Sequence, residues 1–523
     1  MNKARNFWGW GNIEDISNPN EVDLLRSLVT NTFSVEGSLM PYPNIDDIVL
    51  PENSLKIPNA LESISTDSKY ERALHTRGRS FIDVTRSLSG DFASAPDFVI
   101  YPENENDILF AMDWCAERNC ALVPFGGGSS VVGGLELKLG ERERFEGVVS
   151  LDLGKMNSML ELDKTSRTGQ FQGGMLGPKI EDDLRRNGLT LRHFPQSFEF
   201  SSLGGWIATR AGGHFATGIT HIDDLVESIQ VVSPIGIYET RSLPASGAGP
   251  DPNRLFMGSE GSLGVITSAW MRLQDRPIYK VSYSALFDSF KSGVDAAREL
   301  VQSGLAPSNC RLLDPLEAFI NGAGNGAKAV LIVGFESGDH SVEHLERRSI
   351  EIVKQNGGEI SGKKEGETWK SSFIRAPYIR DTLIRLGVIA ETFETAVKWN
   401  KFDEFHNAII DNVTKGIEKV AEGKGLVTCR LTHLYPDGSA PYFTVLAKAR
   451  PGSEISQWME IKELASQTIL DNGGTITHHH AVGRDHQKWY KSEIPEHIYK
   501  GFEALKHHFD PHGILNPGAV INL

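Results

Sequence analysis

Along most of the chain, apolar residues recur either in short strand-length bursts or at helical spacing, with glycine, proline and asparagine between them. The pattern is sharpest from residue 97 onward. Phe98-Val99-Ile100-Tyr101 reads as a strand, and within residues 104–118 the positions Ile108, Met112 and Cys115 recur at helical spacing. Ala121-Leu122-Val123-Pro124 reads as a second strand that runs directly into Gly126-Gly127-Gly128-Ser129-Ser130. The pattern thus predicts a strand, a helix, a second strand and a glycine loop. Further strand signals fall at residues 147–152, 171–174 and 226–232, and this stretch ends near Arg272. Between about 277 and 471, helical patterns such as 287–302 alternate with strand patterns such as 329–333. The tail, 472–523, returns to glycine, histidine and proline punctuation and reads as a segment packing back across a site. The first ninety or so residues, broken by Pro41-Tyr42-Pro43, read as an ordered extension.

Composition narrows the class. The 523 residues are 40% hydrophobic and 9% aromatic, as in an ordered protein of two or three domains. No run approaches the roughly 18 to 20 apolar residues of a membrane-spanning helix. The opening residues lack the apolar core of a secretory signal, so a cytoplasmic location is expected. A formal charge of -15 without a basic stripe argues against nucleic acid as a partner. Cys115, Cys120, Cys310 and Cys429 form no paired ligand motif and read as free thiols.

In Gly126-Gly127-Gly128-Ser129-Ser130, three residues lack a Cβ, so successive backbone N–H groups can converge on an anion beside two hydroxyls. That suits a pyrophosphate, and an ordinary turn fits the same residues. The spacing is not the dinucleotide fingerprint. Residues 195–206 and 258–266 also combine hydroxyls with bare backbone. Together with Pro124-Phe125-Gly126-Gly127-Gly128 they resemble, in the same order, the flavin-binding motifs of the vanillyl-alcohol-oxidase superfamily. The resemblance implies FAD, held by Pro124, Phe125, Gly126, Gly127, Gly128, Ser129, Ser130, Gln196, Ser197, Ser201, Ser202, Gly204, Gly205, Glu260, Gly264, Val265 and Ile266. No His or Cys lies between Pro124 and Gly134, so a noncovalent flavin is expected.

A narrower resemblance covers most of the chain. Phe7-Trp8-Gly9-Trp10-Gly11, residues 197–206, Arg311-Leu312-Leu313-Asp314, Tyr378-Ile379-Arg380-Asp381, Pro441-Tyr442-Phe443 and residues 477–483 are similar to motifs of the alkyldihydroxyacetonephosphate synthases. The implied fold is α+β. A PCMH-type FAD-binding domain of two α/β subdomains would span 91–275, after an extension at 1–90. A cap domain of the FAD-linked oxidase type, built over an antiparallel sheet, would span 276–471, and 472–523 would complete the active site.

The implied reaction replaces the acyl group of a dihydroxyacetone phosphate lipid with a fatty alcohol. Tyr442 would move a carbon-bound proton, provided neighbours lower its pKa from about 10. His479 and His480 would assist, and Arg311 and Arg380 would hold the phosphate. If the triple histidine is extended, His478 and His480 face one side and His479 the other. A lipid substrate, peripheral membrane contact and a homodimer are further expectations.

Two departures stand out. Gln196 replaces the family's usual acid, and residues 214–225 lack its tyrosine-glycine pair. A rival reading is an FAD-linked 2-hydroxyacid dehydrogenase, many of which use a divalent metal. His433 and Asp437-Gly438 fit that motif, but Tyr442 stands near its second histidine and His479 replaces its glutamate. No metal is therefore assigned, although His433, His479 and His480 remain candidates for a nitrogen-rich zinc site.

Overall fold

The computed structural model describes residues 4–35, 38–215, 217–362 and 364–521, except for the side chains of 364–372. Four strands, β1 (Ser65–Thr66), β2 (Phe98–Ile100), β3 (Ala121–Phe125) and β4 (Val148–Asp152), form a first sheet in the order 1-2-4-3. β4 runs parallel to both β2 and β3. Parallel strands need crossovers, and helix Glu105–Glu117 supplies the one from β2 to β3, which flank β4. The Asn104 side chain starts that helix by accepting from the N–H groups of Asn106 and Asp107, and Ile108, Met112 and Cys115 are buried beneath the sheet. The expected strand, helix, strand and glycine loop is therefore present.

A second, antiparallel sheet has the order 5-6-10-8-9. It consists of β5 (Met159–Asp163), β6 (Thr168–Gln172), β8 (Val226–Ser233), β9 (Gly236–Glu239) and β10 (Val265–Arg272), while β7 (Leu189–Thr190) pairs with β11 (Gln274–Asp275). Val232 of β8 and Val265 of β10 enter the core of the first sheet, which locks the two subdomains together.

The cap is built on β12 (Tyr279–Phe287), β13 (Asn309–Leu313), β14 (Ala329–Ser337), β15 (Glu359–Gly362), β16 (Val388–Glu394), β17 (Val397–Lys398), β18 (Gly425–Leu434) and β19 (Gly438–Lys448). Its order is 15-12-14-13-18-19-16, with β17 on β19, and every pairing is antiparallel. The pleat sends alternate residues to opposite faces. Phe443, Val445 and Cys429 join the core under helices Trp399–Ala421 and Glu454–Asp471. Tyr442, Thr444 and Arg430 face the other way.

Both ends of the chain hold more helix than their sequence suggests. Near the start, Asn18 caps helix Pro19–Phe33, with proline at its first position. The tail contains helices Gln487–Glu493 and Glu496–Phe509 before Leu515 pairs alongside Leu122 of β3. Helix Lys364–Arg385 carries Pro377 internally, a residue that removes one backbone hydrogen bond and usually bends a helix. Among the described residues, no helix is long and apolar enough to cross a membrane.

Candidate active site

A cavity of about 370 Å³ lies between the cap sheet and the glycine loop. Of the expected residues, the structure brings to its walls Gly126 through Ser130, Gln196, Ser197, Ser201, Ser202, Gly205, Arg311, Arg380, Tyr442, His479 and His480. The glycine loop meets the second motif directly. A Cβ at Gly126 would collide with the Ser202 hydroxyl and one at Gly127 with the Phe200 carbonyl oxygen, while Gly128 has φ of +70°. Among the described residues, the backbone N–H groups of Gly127, Gly128, Ser129 and Ser130 have no protein acceptor. Four adjacent donors without a partner beside a cavity form a cradle for an anion, so these residues fit the pyrophosphate of FAD. Gly126 also borders a second hollow, of about 250 Å³, lined by Phe125, His75 and Asp152.

Several of the expected cofactor residues do not line this cavity. Val265 and Ile266 bury their side chains in the two cores, and Gly264 is needed because a Cβ would strike Val231. Gly204 lies tight against Gly173. Pro124 packs over Gly261, and Phe125 stacks beside His75 and Gly128. Glu260 turns away to accept the N–H groups of Val482 and Gly483 at 2.9 and 2.8 Å. Burial pushes its carboxyl up to about 7, although those two donors and Arg484 work against the shift. These residues shape the fold around the cavity without lining it.

Sheet register assembles the reactive end. Tyr442 pairs across β19 with Arg430 on one side and with Glu394 on the other. The Arg430 guanidinium lies 3.8 Å from the centre of the Tyr442 ring and is ion-paired with buried Glu317. His480 meets the tyrosine edge-on at 5.5 Å, and His479 stacks on it at 6.1 Å. Burial raises the Tyr442 pKa; Arg430 and a hydrogen bond with Thr392 oppose this without reversing it. The expectation of a lowered pKa is corrected, and the resting group is a neutral phenol. A bulge in β18 between Leu431 and His433 puts His433 on the same face as Arg430 and Thr432.

The triple histidine is not extended. Its three backbone N–H groups converge on the Glu394 carboxylate, at 2.7 Å for His478, 3.1 and 3.2 Å for His479, and 2.9 Å for His480, and the Thr477 hydroxyl adds a donor at 2.6 Å. Burial works against the Glu394 charge, but the imidazoles of His479, His480 and His478 and the Thr477 hydroxyl outweigh it and hold the carboxyl well below the usual range. Consequently His479 and His480 share the cavity, whereas His478 points out of it. Burial pushes His479 down to about 3 despite the nearby Glu394, and it lowers His480 and His433 as well. Nitrogens of His433, His478 and His479 come within 4.8 Å of one another. His433 Nε2 is bonded to the Gly213 carbonyl at 2.8 Å, and His478 and His479 are bonded to each other through Nδ1 at 3.1 Å.

The arginines differ in role. Arg311 is buried, contacts the His214 carbonyl at 3.2 Å, and is pushed down to about 9 by burial and by Arg430. Arg380 is tied to Asp381 at 2.8 Å, and Asp381 also accepts the Trp10 N–H at 2.6 Å. Trp10, Arg430 and Glu394 were not foreseen; the tryptophan-glycine motif was the only sequence signal for any of them. In the segment lacking the tyrosine-glycine pair, Ala216 lies outside the described residues.

Comparison with known proteins gives consistent results. Residues 96–241 match the FAD binding domain family, and 276–520 match the family described as FAD linked oxidases, C-terminal domain. The alkyldihydroxyacetonephosphate synthase of Dictyostelium discoideum is 30% identical over 485 residues, covering 87% of this chain and 78% of that protein. The protein of the same name from Trypanosoma brucei brucei is 30% identical over 480 residues, covering 86% and 77%. A solved alkyldihydroxyacetonephosphate synthase structure superposes with a TM-score of 0.83 at 26% identity, covering 98% of each chain.

Proposed function

The chain belongs to the alkyldihydroxyacetonephosphate synthase family, and on that premise we propose that it exchanges the acyl group of acyl-dihydroxyacetone phosphate for a fatty alcohol. Its cofactor is FAD. The observation that carries the reading is one cavity that joins three guanidinium groups and a buried phenol to an apolar wall. Arg311, Arg380 and Arg430 line it together with Tyr442, and Ile320, Ile379, Leu383 and Leu446 supply hydrocarbon surface. A charged headgroup and a long chain need both surfaces, whereas a small 2-hydroxyacid needs only the first.

The glycine loop would bind the FAD pyrophosphate through the N–H groups of residues 127–130. When bound, FAD supplies the electron sink through which one chain leaves and another enters without net oxidation. Its attachment is noncovalent in this reading, because no His or Cys lies in the glycine loop between Pro124 and Gly134. The arginines would hold the phosphate and fix the reacting carbon near Tyr442. Arg430 favours the phenolate over the phenol, so it would assist each departure of the Tyr442 proton. His479 and His480, both neutral, would accept the proton of the incoming alcohol.

The test is anaerobic. Purified protein is mixed with acyl-dihydroxyacetone phosphate and a long-chain alcohol, and separately with a panel of 2-hydroxyacids. Ether product with the flavin still oxidised at the end supports the proposal. Bleaching by a hydroxyacid without ether formation replaces it with the dehydrogenase.

A further inference from the structure

His478 is the member of the triple histidine that does not line the reaction cavity, and it lies between that cavity and a separate hollow. On one side, its Nδ1 is 3.1 Å from Nδ1 of His479, which borders the reaction cavity. On the other, its Nε2 is 2.7 Å from the Tyr435 hydroxyl, and that hydroxyl is 2.9 Å from Thr220 Oγ1. Tyr435 in turn lines a separate hollow of about 560 Å³, which Lys398, Asp437, Thr475 and Glu493 also border. Lys398, Asp437 and Glu493 are exposed, so this hollow is open to water. Every link from His479 to Tyr435 is within hydrogen-bond reach, and Tyr435 is the link that borders the hollow, Thr220 being buried beside it.

The geometry points to a proton exit running from His479 through His478 and Tyr435 to the open hollow of about 560 Å³. This inference rests on the proposed ether-forming reaction. That reaction consumes a neutral alcohol and releases a fatty acid that is ionised at neutral pH, so one proton must leave the closed cavity in each turnover. His479 takes that proton at Nε2 and passes its Nδ1 proton to His478 Nδ1. His478 then releases its Nε2 proton to the Tyr435 oxygen, and the tyrosine's own proton goes to water in the hollow. One proton enters and one leaves, no charge stays behind, and each imidazole ends as its other tautomer.

Burial and the surrounding imidazoles hold His478 well below its ordinary pKa, so a neutral ring is available to donate at one nitrogen and accept at the other. Around it stand His221, whose Nε2 is 3.1 Å away, His433 with ring centres 4.9 Å apart, and the Glu394 carboxylate on its backbone N–H. His221 offers a side branch, its Nδ1 meeting the Arg210 carbonyl at 3.2 Å in an exposed contact. Tyr435 is the branch that borders the open hollow.

The test uses FAD-loaded full-length protein labelled with 15N-histidine. The rate at which the His479 imidazole proton exchanges with water is measured by NMR in wild type, in Tyr435→Phe, and in His478→Gln, which can hydrogen-bond but cannot pass a proton between two ring nitrogens. Exchange is expected to slow by about a hundredfold or more in both variants, in line with the lower range of acid–base assistance. In the ether-forming assay, turnover should fall alongside it, with KM and the flavin spectrum unchanged and a larger solvent deuterium effect. Unchanged exchange in both variants overturns the relay, whatever the substrate. Stoichiometric zinc on these imidazoles also overturns it, because the lone pairs would be taken. Slowed exchange in both variants, with a wild-type protein that forms no ether, keeps the relay and removes the proposed reaction.

Discussion

Glu394 organises the reactive end of the cavity, and replacing it gives a graded effect. In Glu394→Gln, one carboxylate oxygen becomes an amide nitrogen that cannot accept. The less damaging placement puts that nitrogen where Oε2 stands, because Oε1 receives His480, the Thr477 hydroxyl and the shorter His479 contact. The His478 N–H, now 2.7 Å from Oε2, would then face another donor. One buried donor left unsatisfied costs about 1–3 kcal/mol, so local opening should become on the order of ten- to a hundredfold more frequent. Glu394→Ala strands the backbone donors of His478 and His479, while His480 keeps the Thr477 hydroxyl at 3.1 Å, and the opening free energy should fall by about 2–6 kcal/mol. The assay is hydrogen exchange by mass spectrometry on a peptide covering residues 477–482 of the FAD-bound protein. Exchange at the wild-type rate in Glu394→Gln would refute this reasoning. So would an alanine variant no faster than the glutamine one.

Other expected outcomes follow from the same geometry. Tyr442→Phe should lower ether formation by about 10²–10⁴-fold while the bound flavin keeps its visible spectrum, and full activity would remove the phenol from the chemistry. Glu260 holds a proton more tightly when folded, up to about 7 from an ordinary 4.5. That stabilisation, about 3 kcal/mol, is complete below about 4.5 and is lost as the pH rises through 7. Glu260→Gln can still accept from Val482 and Gly483, so its unfolding midpoint should stay flat where the wild type declines; parallel pH profiles would contradict the assignment. Arg430→Met should destabilise the cap by about 3–5 kcal/mol by leaving Glu317 buried and unpaired, and adding Glu317→Gln should recover much of that in denaturant titrations. Gly127→Ala should fail to retain FAD on gel filtration, since its methyl group would meet the Phe200 carbonyl.

The sequence was most informative where structure is local. Helix Glu105–Glu117 could be read because its buried positions recur every three or four residues and Asn104 caps it, and the glycine loop because three residues lack a Cβ. Tyr442, His480, Arg311 and Arg380 were identified by resemblance to family motifs, and all four line the cavity. Arg430 and Glu394 were invisible because their significance comes from lying opposite Tyr442 on neighbouring strands, a register that no local pattern encodes. Trp10 reaches Asp381 across 371 positions. His478 was paired with His480 on the assumption of an extended segment, but convergence on a buried carboxylate re-aims all three rings. In the tail, helix Glu496–Phe509 was masked by the glycine and proline that flank it.

The central claim is that residues 127–130 and the Tyr442 end of the cap sheet hold opposite parts of one FAD molecule. An experimental structure of the FAD-loaded protein tests it most directly. The account requires the pyrophosphate on the N–H groups of Gly127, Gly128, Ser129 and Ser130, with the flavin ring facing Tyr442, Arg430 and His480 and no bond to any side chain. Density for the pyrophosphate elsewhere, or a ring turned away from Tyr442, would contradict it.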